Sequence, residues 1–225
     1  MKFALACFDL DGTLVDSHAD IRAALVRALE EVPPADAERD ERALGAAGLG
    51  LPLEEFFALA RPAPHPASDG ESRRRFIDAY RRYYHAHLLE LTRPFAGVVE
   101  TLEALGPLRA RGLRTAVATT KRTDTARRVV AGLGLERYFD VVLGTDGIPH
   151  KPAPDLLLLA ARTVERAPER GLMIGDTARD VLAGRAAGMK TCGVGWGVTG
   201  ADGLRPLAPD YLIAAFPEIL PILAS

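Results

Sequence analysis

Cys7-Phe8-Asp9-Leu10-Asp11-Gly12-Thr13-Leu14-Val15-Asp16-Ser17 is the stretch on which the fold turns. The apolar run Phe3 to Phe8 reads as a short buried strand, and it stops at two carboxylates one residue apart. Gly12 and Thr13 then turn the chain, and an amphipathic segment begins at Ser17. Uncompensated buried charge is costly, so two acids at the end of a buried strand are poor packing residues. They suit a place where a divalent cation and an electrophile are held.

Working outward, Ile21, Ala24, Leu25, Ala28, Leu29 and Val32 follow helical spacing, with Ser17 and Asp20 placed as a capping box. Pro33-Pro34 ends that helix. From there to Arg93 the sequence has helical patches and no strand-like run. Phe56, Phe57, Leu59 and Ala60 form one patch; Phe76, Ile77, Tyr80, Tyr83, Tyr84, His87, Leu88 and Leu91 form another on a basic helix. After Pro94 the texture alternates. Val98–Leu108, Ala126–Leu133, Asp155–Val164 and Asp180–Ala187 read as helices. Arg114–Thr119, Phe139–Leu143, Gly171–Gly175, Lys190–Val194 and Tyr211–Ile213 read as strands. Apolar strands alternating with helices predict a Rossmann-like, doubly wound parallel sheet covered on both faces. The predicted α/β core takes residues 1–16 and 94–225, interrupted by an all-helical insert over 17–93.

The 225 residues are 48% hydrophobic and 26% charged, which fits a globular chain and argues against disorder. A formal net charge of −2 gives no general attraction to nucleic acid or anionic membranes, so neither is expected as a partner. The two cysteines, Cys7 and Cys192, fall in separate predicted strands and read as reduced packing residues. Lys2 and the apolar run after it are too short for a signal peptide, and a cytoplasmic location is expected.

In open α/β sheets, ligands gather at the carboxyl ends of strands. Four groups fall there: Asp9 and Asp11; Thr119 and Thr120; Lys151, in the loop after Phe139–Leu143; and Asp176 with Asp180. Taken singly, each has an ordinary reading: a helix cap for Asp11 or Asp176, a strand end for Thr119, a solvated loop residue for Lys151, a first-turn acid for Asp180. Together they resemble the four motifs of the haloacid dehalogenase superfamily. The runs Leu14–Ile21, Pro94–Val98 and Lys151–Asp155 resemble its phosphoglycolate phosphatase-like subgroup.

That resemblance implies a Mg²⁺-dependent phosphatase acting on a small phosphorylated metabolite. Asp9 is implied as nucleophile, and Asp9, Asp176 and the Asp11 backbone carbonyl as metal ligands. The Asp11 side chain is implied as general acid and base. Thr119 and the amides near Leu10 and Thr120 would bind phosphoryl oxygens, and Lys151 would offset charge on phosphate and Asp9 together. Asp180, beyond Gly175 and Asp176, would orient Lys151 or metal-bound water. The insert would be a cap over the cleft, with the glycine-rich loop Gly48-Leu49-Gly50 as the part nearest the substrate. A plain helix connector is an equally good reading of that loop. Leu49 and Thr120 depart from residues common in phosphoglycolate-type relatives, which leaves the substrate open. A monomer or a homodimer is equally compatible. A sugar-phosphate mutase of the same superfamily shares these motifs. A receiver-type signalling domain shares the sheet, acid, Thr and Lys, but carries its phosphorylated Asp later and needs no insert.

Overall fold

The computed structural model describes residues 2–33, 36–45, 48 and 50–225. Leu49 of the candidate loop lies outside them. The chain divides into two compact units, Met1–Asp16 with Arg93–Ser225, and Ser17–Thr92.

The first unit is built on a six-stranded, wholly parallel sheet. In chain order its strands, and those of a small ribbon, are β1 (Leu5–Phe8), β2 (Val15–Asp16), β3 (Arg93–Pro94), β4 (Arg114–Ala118), β5 (Val141–Leu143), β6 (Gly171–Gly175), β7 (Lys190–Val194) and β8 (Tyr211–Ile213). The sheet order is β5-β4-β1-β6-β7-β8, and β2 and β3 pair antiparallel. β1 is central and wholly buried, which is why it reads as an unbroken apolar run rather than an alternation. Leu5 and Cys7 pack on one face with Ala116, Met173, Leu156 and Ala160. On the other face Phe8 meets Phe139 edge-on at 6.0 Å and Phe216 at 5.9 Å. From β1 the chain winds out through β4 and β5, then crosses back to β6 on the far side. This reversal makes the carboxyl ends of β1 and β6 the natural crevice.

One local reading changes. The helical stretch predicted over 98–108 is two helices, Val98–Ala104 and Gly106–Ala110, because Gly106-Pro107 restarts the turn pattern. Burial pushes the Cys7 and Cys192 thiols up to about 12, so both are inert packing groups.

The second unit is helical: α1 (His18–Glu30), α2 (Ala37–Ala43), α3 (Leu53–Ala60) and α4 (Gly70–Ala86). Leu25, Ala28 and Leu29 of α1 share a core with Phe56, Phe57, Phe76 and Ala79, and Phe56 stacks on Phe76 at 5.7 Å. Asp36 and Asp69 cap α2 and α4. The capping box at α1 does not form. Ser17 makes no side-chain cap, and Asp20 is buried, accepting bonds from Thr92 N (2.9 Å), Thr92 Oγ1 (2.6 Å) and Leu91 N (3.1 Å). A carboxylate spaced for a local cap is thus taken by a segment seventy residues away, which offers three donors. The basic face of α4 is a surface face, with Arg82 and Arg75 bonded to Glu31. His87 stacks on Tyr83 at 4.0 Å.

Candidate active site at the carboxyl ends of the strands

Strand register brings the separated motifs to one level. Phe8 lies opposite Val117 on β4 and Ile174 on β6. One residue further, Asp9 therefore leaves β1 level with Ala118 and Gly175, with Thr119 and Asp176 just beyond. The Asp9 amide still donates to the Ile174 carbonyl (2.8 Å), so its backbone is fixed by the sheet.

Lys151 ties the acids together. Its buried ammonium donates to Asp9 Oδ1 (2.9 Å), to the Ala118 carbonyl (3.1 Å) and to Asp180 Oδ1. Arg179 donates to the Lys151 carbonyl (2.9 Å), fixing the loop from below. The second oxygen of Asp180 accepts from Thr177 N (3.0 Å) and Thr177 Oγ1 (2.6 Å), so Asp180 links Lys151 to the start of helix Ala178–Ala186. Gly175 gives it room: a Cβ there would lie 2.3 Å from Asp180 Cγ.

Asp176 sits in a cradle. Oδ1 accepts from Thr13 Oγ1 (3.1 Å) and Oδ2 from Val198 N (2.9 Å). Gly12, at φ +78°, would place a Cβ 2.4 Å from Asp176 Oδ2, and Gly197 would place one 2.2 Å from Asp176 Cβ. Only glycine satisfies both the left-handed turn and the close approach at Gly12. The indole of Trp196 anchors the same loop by donating to the Thr13 carbonyl (3.2 Å). The tryptophan is therefore a loop anchor. Gly197 and Val198 carry the part of this contact that no local pattern announces.

Ligand oxygens of Asp9, Asp176 and Asp180 lie within 4.8 Å of one another. Burial pushes the Asp176 carboxyl up to about 7, helped by Asp180 and opposed by the bonds from Val198 and Thr13. Burial also raises Asp9 well above the ordinary range; Lys151 opposes this, while Asp180, Asp176 and Asp11 add to it. Among the described residues in this cluster there are three carboxylates and one ammonium, which pairs with two of them, Asp9 and Asp180. The set is all oxygen and carries excess negative charge, which fits a hard divalent cation.

Asp11 stands apart. Its side chain pairs with Lys121 Nζ at 2.9 Å, a partner the sequence reading did not assign. The Lys121 amide in turn donates to Thr119 Oγ1 (3.2 Å). Thr119 is buried at the end of β4, its amide bonded to the Leu143 carbonyl (3.1 Å), and Thr120 follows it. The Leu10 carbonyl accepts from Leu14 N (2.9 Å) and Val15 N (3.0 Å), closing the turn that carries Asp11. Gly48 and Gly50 belong to the helical unit.

A family model for haloacid dehalogenase-like hydrolases matches residues 6–194. The pyrophosphatase PpaX of Halalkalibacterium halodurans is 31% identical over 99% of this chain and 97% of its own. IndB of Dickeya dadantii, named a probable phosphatase, is 37% identical over 96% of this chain and 91% of its own. Among solved structures, a haloacid dehalogenase-like hydrolase of Streptococcus pneumoniae superposes with a TM-score of 0.82 at 30% identity, covering 98% of each chain. A predicted phosphoglycolate phosphatase of Haemophilus somnus gives 0.81 at 27% identity, over 99% of this chain and 98% of its own.

Proposed function

Because the chain belongs to the haloacid dehalogenase-like hydrolases, we propose that it is a Mg²⁺-dependent phosphatase hydrolysing a small phosphomonoester of the phosphoglycolate kind. The observation that carries this reading is the buried Asp9 carboxylate at the tip of the central strand, 2.9 Å from Lys151 and clustered with Asp176 and Asp180.

An Asp9 oxygen attacks phosphorus as the bond to the leaving oxygen breaks, giving an aspartyl-phosphate. Asp11 gives its proton to the leaving oxygen. It then takes a proton from the water that attacks phosphorus, which releases phosphate and restores Asp9. Attack by an anion on a phosphoryl dianion is governed by positioning and neutralisation. Lys151 serves both, gripping Asp9 and facing the incoming phosphate, while Asp180 holds Lys151 in place. Thr119 Oγ1 accepts from the Lys121 amide, and its own proton remains a donor for a phosphoryl oxygen. The amides of Leu10 and Thr120 serve the same group. The Asp9 and Asp176 carboxylates and the Asp11 backbone carbonyl would hold Mg²⁺, which supplies further neutralisation of the phosphoryl oxygens. The helical unit, including Gly48 and Gly50, is assigned to selecting the small phosphorylated metabolite.

Phosphate release across phosphomonoesters and pyrophosphate, with Mg²⁺ or EDTA, tests the reading. Asp9→Asn should lower turnover by about 10⁴-fold or more with the fold retained. Full activity in that variant, or in EDTA, overturns the mechanism.

A further inference from the structure

Asp176 is gripped from two loops, and those loops are tied to each other. Thr13, in the turn after β1, donates its hydroxyl to Oδ1 (3.1 Å), and Val198, in the loop after β7, donates its amide to Oδ2 (2.9 Å). The Trp196 indole closes the circuit by donating to the Thr13 carbonyl (3.2 Å). A carboxylate held at both oxygens cannot turn about its Cβ–Cγ bond, so its orientation is set before a cation arrives. The Thr13 turn has backbone bonds of its own, from Gly12 N to the Val15 carbonyl (2.9 Å) and from Leu14 N to the Leu10 carbonyl (2.9 Å). The later loop is fixed at Gly195, whose amide donates to the Ile213 carbonyl (2.9 Å). Between there and the helix Gly200–Leu204, it reaches Asp176 and the Thr13 turn through the bonds of Val198 and Trp196. The indole also packs on Phe95 and Phe216, with ring centroids 6.3 and 5.9 Å away. Any aromatic ring could fill that space; the bond to Thr13 needs the N–H.

We propose that Trp196 is a positioning residue for the divalent cation: its N–H locks the Val198 loop to the Thr13 turn, so that both oxygens of Asp176 are oriented in advance and the cation is bound more tightly. Groups that orient a metal ligand from outside contribute about 10- to 100-fold in affinity. Trp196 acts through two such groups, Thr13 and Val198. This inference rests on the reading of Asp176 as a ligand of Mg²⁺.

Mg²⁺ affinity is measured by calorimetry on the whole chain, without substrate. Trp196→Phe keeps a ring against Phe95 and Phe216 and should raise the Mg²⁺ dissociation constant by about 10-fold. Phe95→Leu loosens the same packing with the circuit of bonds intact, and should leave the constant unchanged. Saturating Mg²⁺ should restore the kcat of Trp196→Phe with p-nitrophenyl phosphate, because the ligands themselves are untouched. Coupling is reciprocal, so Mg²⁺ must also steady the indole bond. Trp196 is the chain's sole tryptophan and gives its single indole N–H resonance, whose exchange with solvent should slow as Mg²⁺ is added. That measurement uses the wild type and holds even if Trp196→Phe fails to fold.

An unchanged dissociation constant in Trp196→Phe overturns the inference. So does an equal rise in Phe95→Leu, which would assign the effect to packing, or a kcat deficit that saturating Mg²⁺ does not repair. A wild-type indole N–H whose exchange ignores saturating Mg²⁺ overturns it as well, as does a wild type that takes up no Mg²⁺. A wild type that binds Mg²⁺, with the expected response of both variants, yet releases phosphate from no ester would sink the phosphatase reading and leave this inference standing.

Discussion

The two ends of the parallel sheet carry carboxylates in opposite condition. At the amino ends, Asp140 precedes β5 and accepts from Thr115 N (2.8 Å) and Arg114 (3.0 Å) on β4. Asp210 precedes β8 and accepts from Thr191 N (2.9 Å) and Lys190 (2.7 Å) on β7. The same device, a base and a threonine opening one strand and an aspartate opening its neighbour, is used twice. Burial pushes both carboxyls up, but the bonds to Thr115 with the nearby Arg109 and Arg114, and to Lys190 and Thr191, outweigh it and hold both low. At the carboxyl ends, burial prevails and Asp9 and Asp176 are raised. Acids whose bonds outweigh burial tie strands together; acids on the same scaffold for which burial outweighs the bonds mark the place where a cation and an electrophile belong.

The largest effect that would test this contrast is removal of a lysine at each end. Lys151→Met leaves three clustered carboxylates without their ammonium and should cost about 3–5 kcal/mol of unfolding free energy. Lys190→Met breaks a half-exposed pair and should scarcely move the denaturant midpoint. Equal losses would abolish the distinction. Next in size is the response to Mg²⁺. A concentration one hundred times the dissociation constant should stabilise the wild type by about 2.7 kcal/mol in thermal or denaturant unfolding. Asp176→Asn should remove that gain and Asp210→Asn should keep it. A gain retained in Asp176→Asn would mean that the excess charge serves something other than a metal.

The asymmetry explains how far the sequence could be read. Residues that must sit at a strand's carboxyl end are announced by the strand itself, so Asp9, Thr119 and Asp176 are visible wherever an apolar run stops at a polar side chain. Lys151 and Asp180 become visible through their spacing from those ends. The parallel order follows from strands alternating with helices. What escapes is contact chosen by tertiary packing. Asp20 has a cap's spacing but meets Leu91 and Thr92. Lys121 is one more loop cation until Asp11 lies beside it. Gly197 draws less notice than Trp196, although it is the glycine that admits Asp176.

That glycine gives a smaller, sharper test. Gly197→Ala forces a methyl against Asp176 and should cost about 1–3 kcal/mol by overpacking, with turnover falling as Asp176 is displaced. Gly188, before β7 at the opposite end, has φ +76°, unlike Gly197, and faces open space. Gly188→Ala should pay only the left-handed backbone cost, about 1 kcal/mol, and leave kcat unchanged. A fall in kcat for Gly188→Ala would show that the amino end reaches the chemistry.

The smallest effect is in acid, and here the two ends pull in opposite directions. A carboxyl held low in the folded state contributes stability that is fully present above its unfolded value, near 4, and is lost as pH falls through the folded one. Asp140 and Asp210 should therefore steepen the loss of stability below about pH 4, and the double variant Asp140→Asn/Asp210→Asn should flatten that limb. Asp176 has the reverse sign. With its carboxyl raised to about 7 when no cation is present, its charged form opposes folding above that pH, and the penalty fades as pH falls toward 4. In EDTA, Asp176→Asn should thus raise stability more at pH 8 than at pH 5, as read by urea midpoints at the two pH values. If instead the gain grew toward acid, Asp176 would belong with the acids held low at the amino end, and the excess charge at the carboxyl end would have to be carried by Asp9 and Asp180.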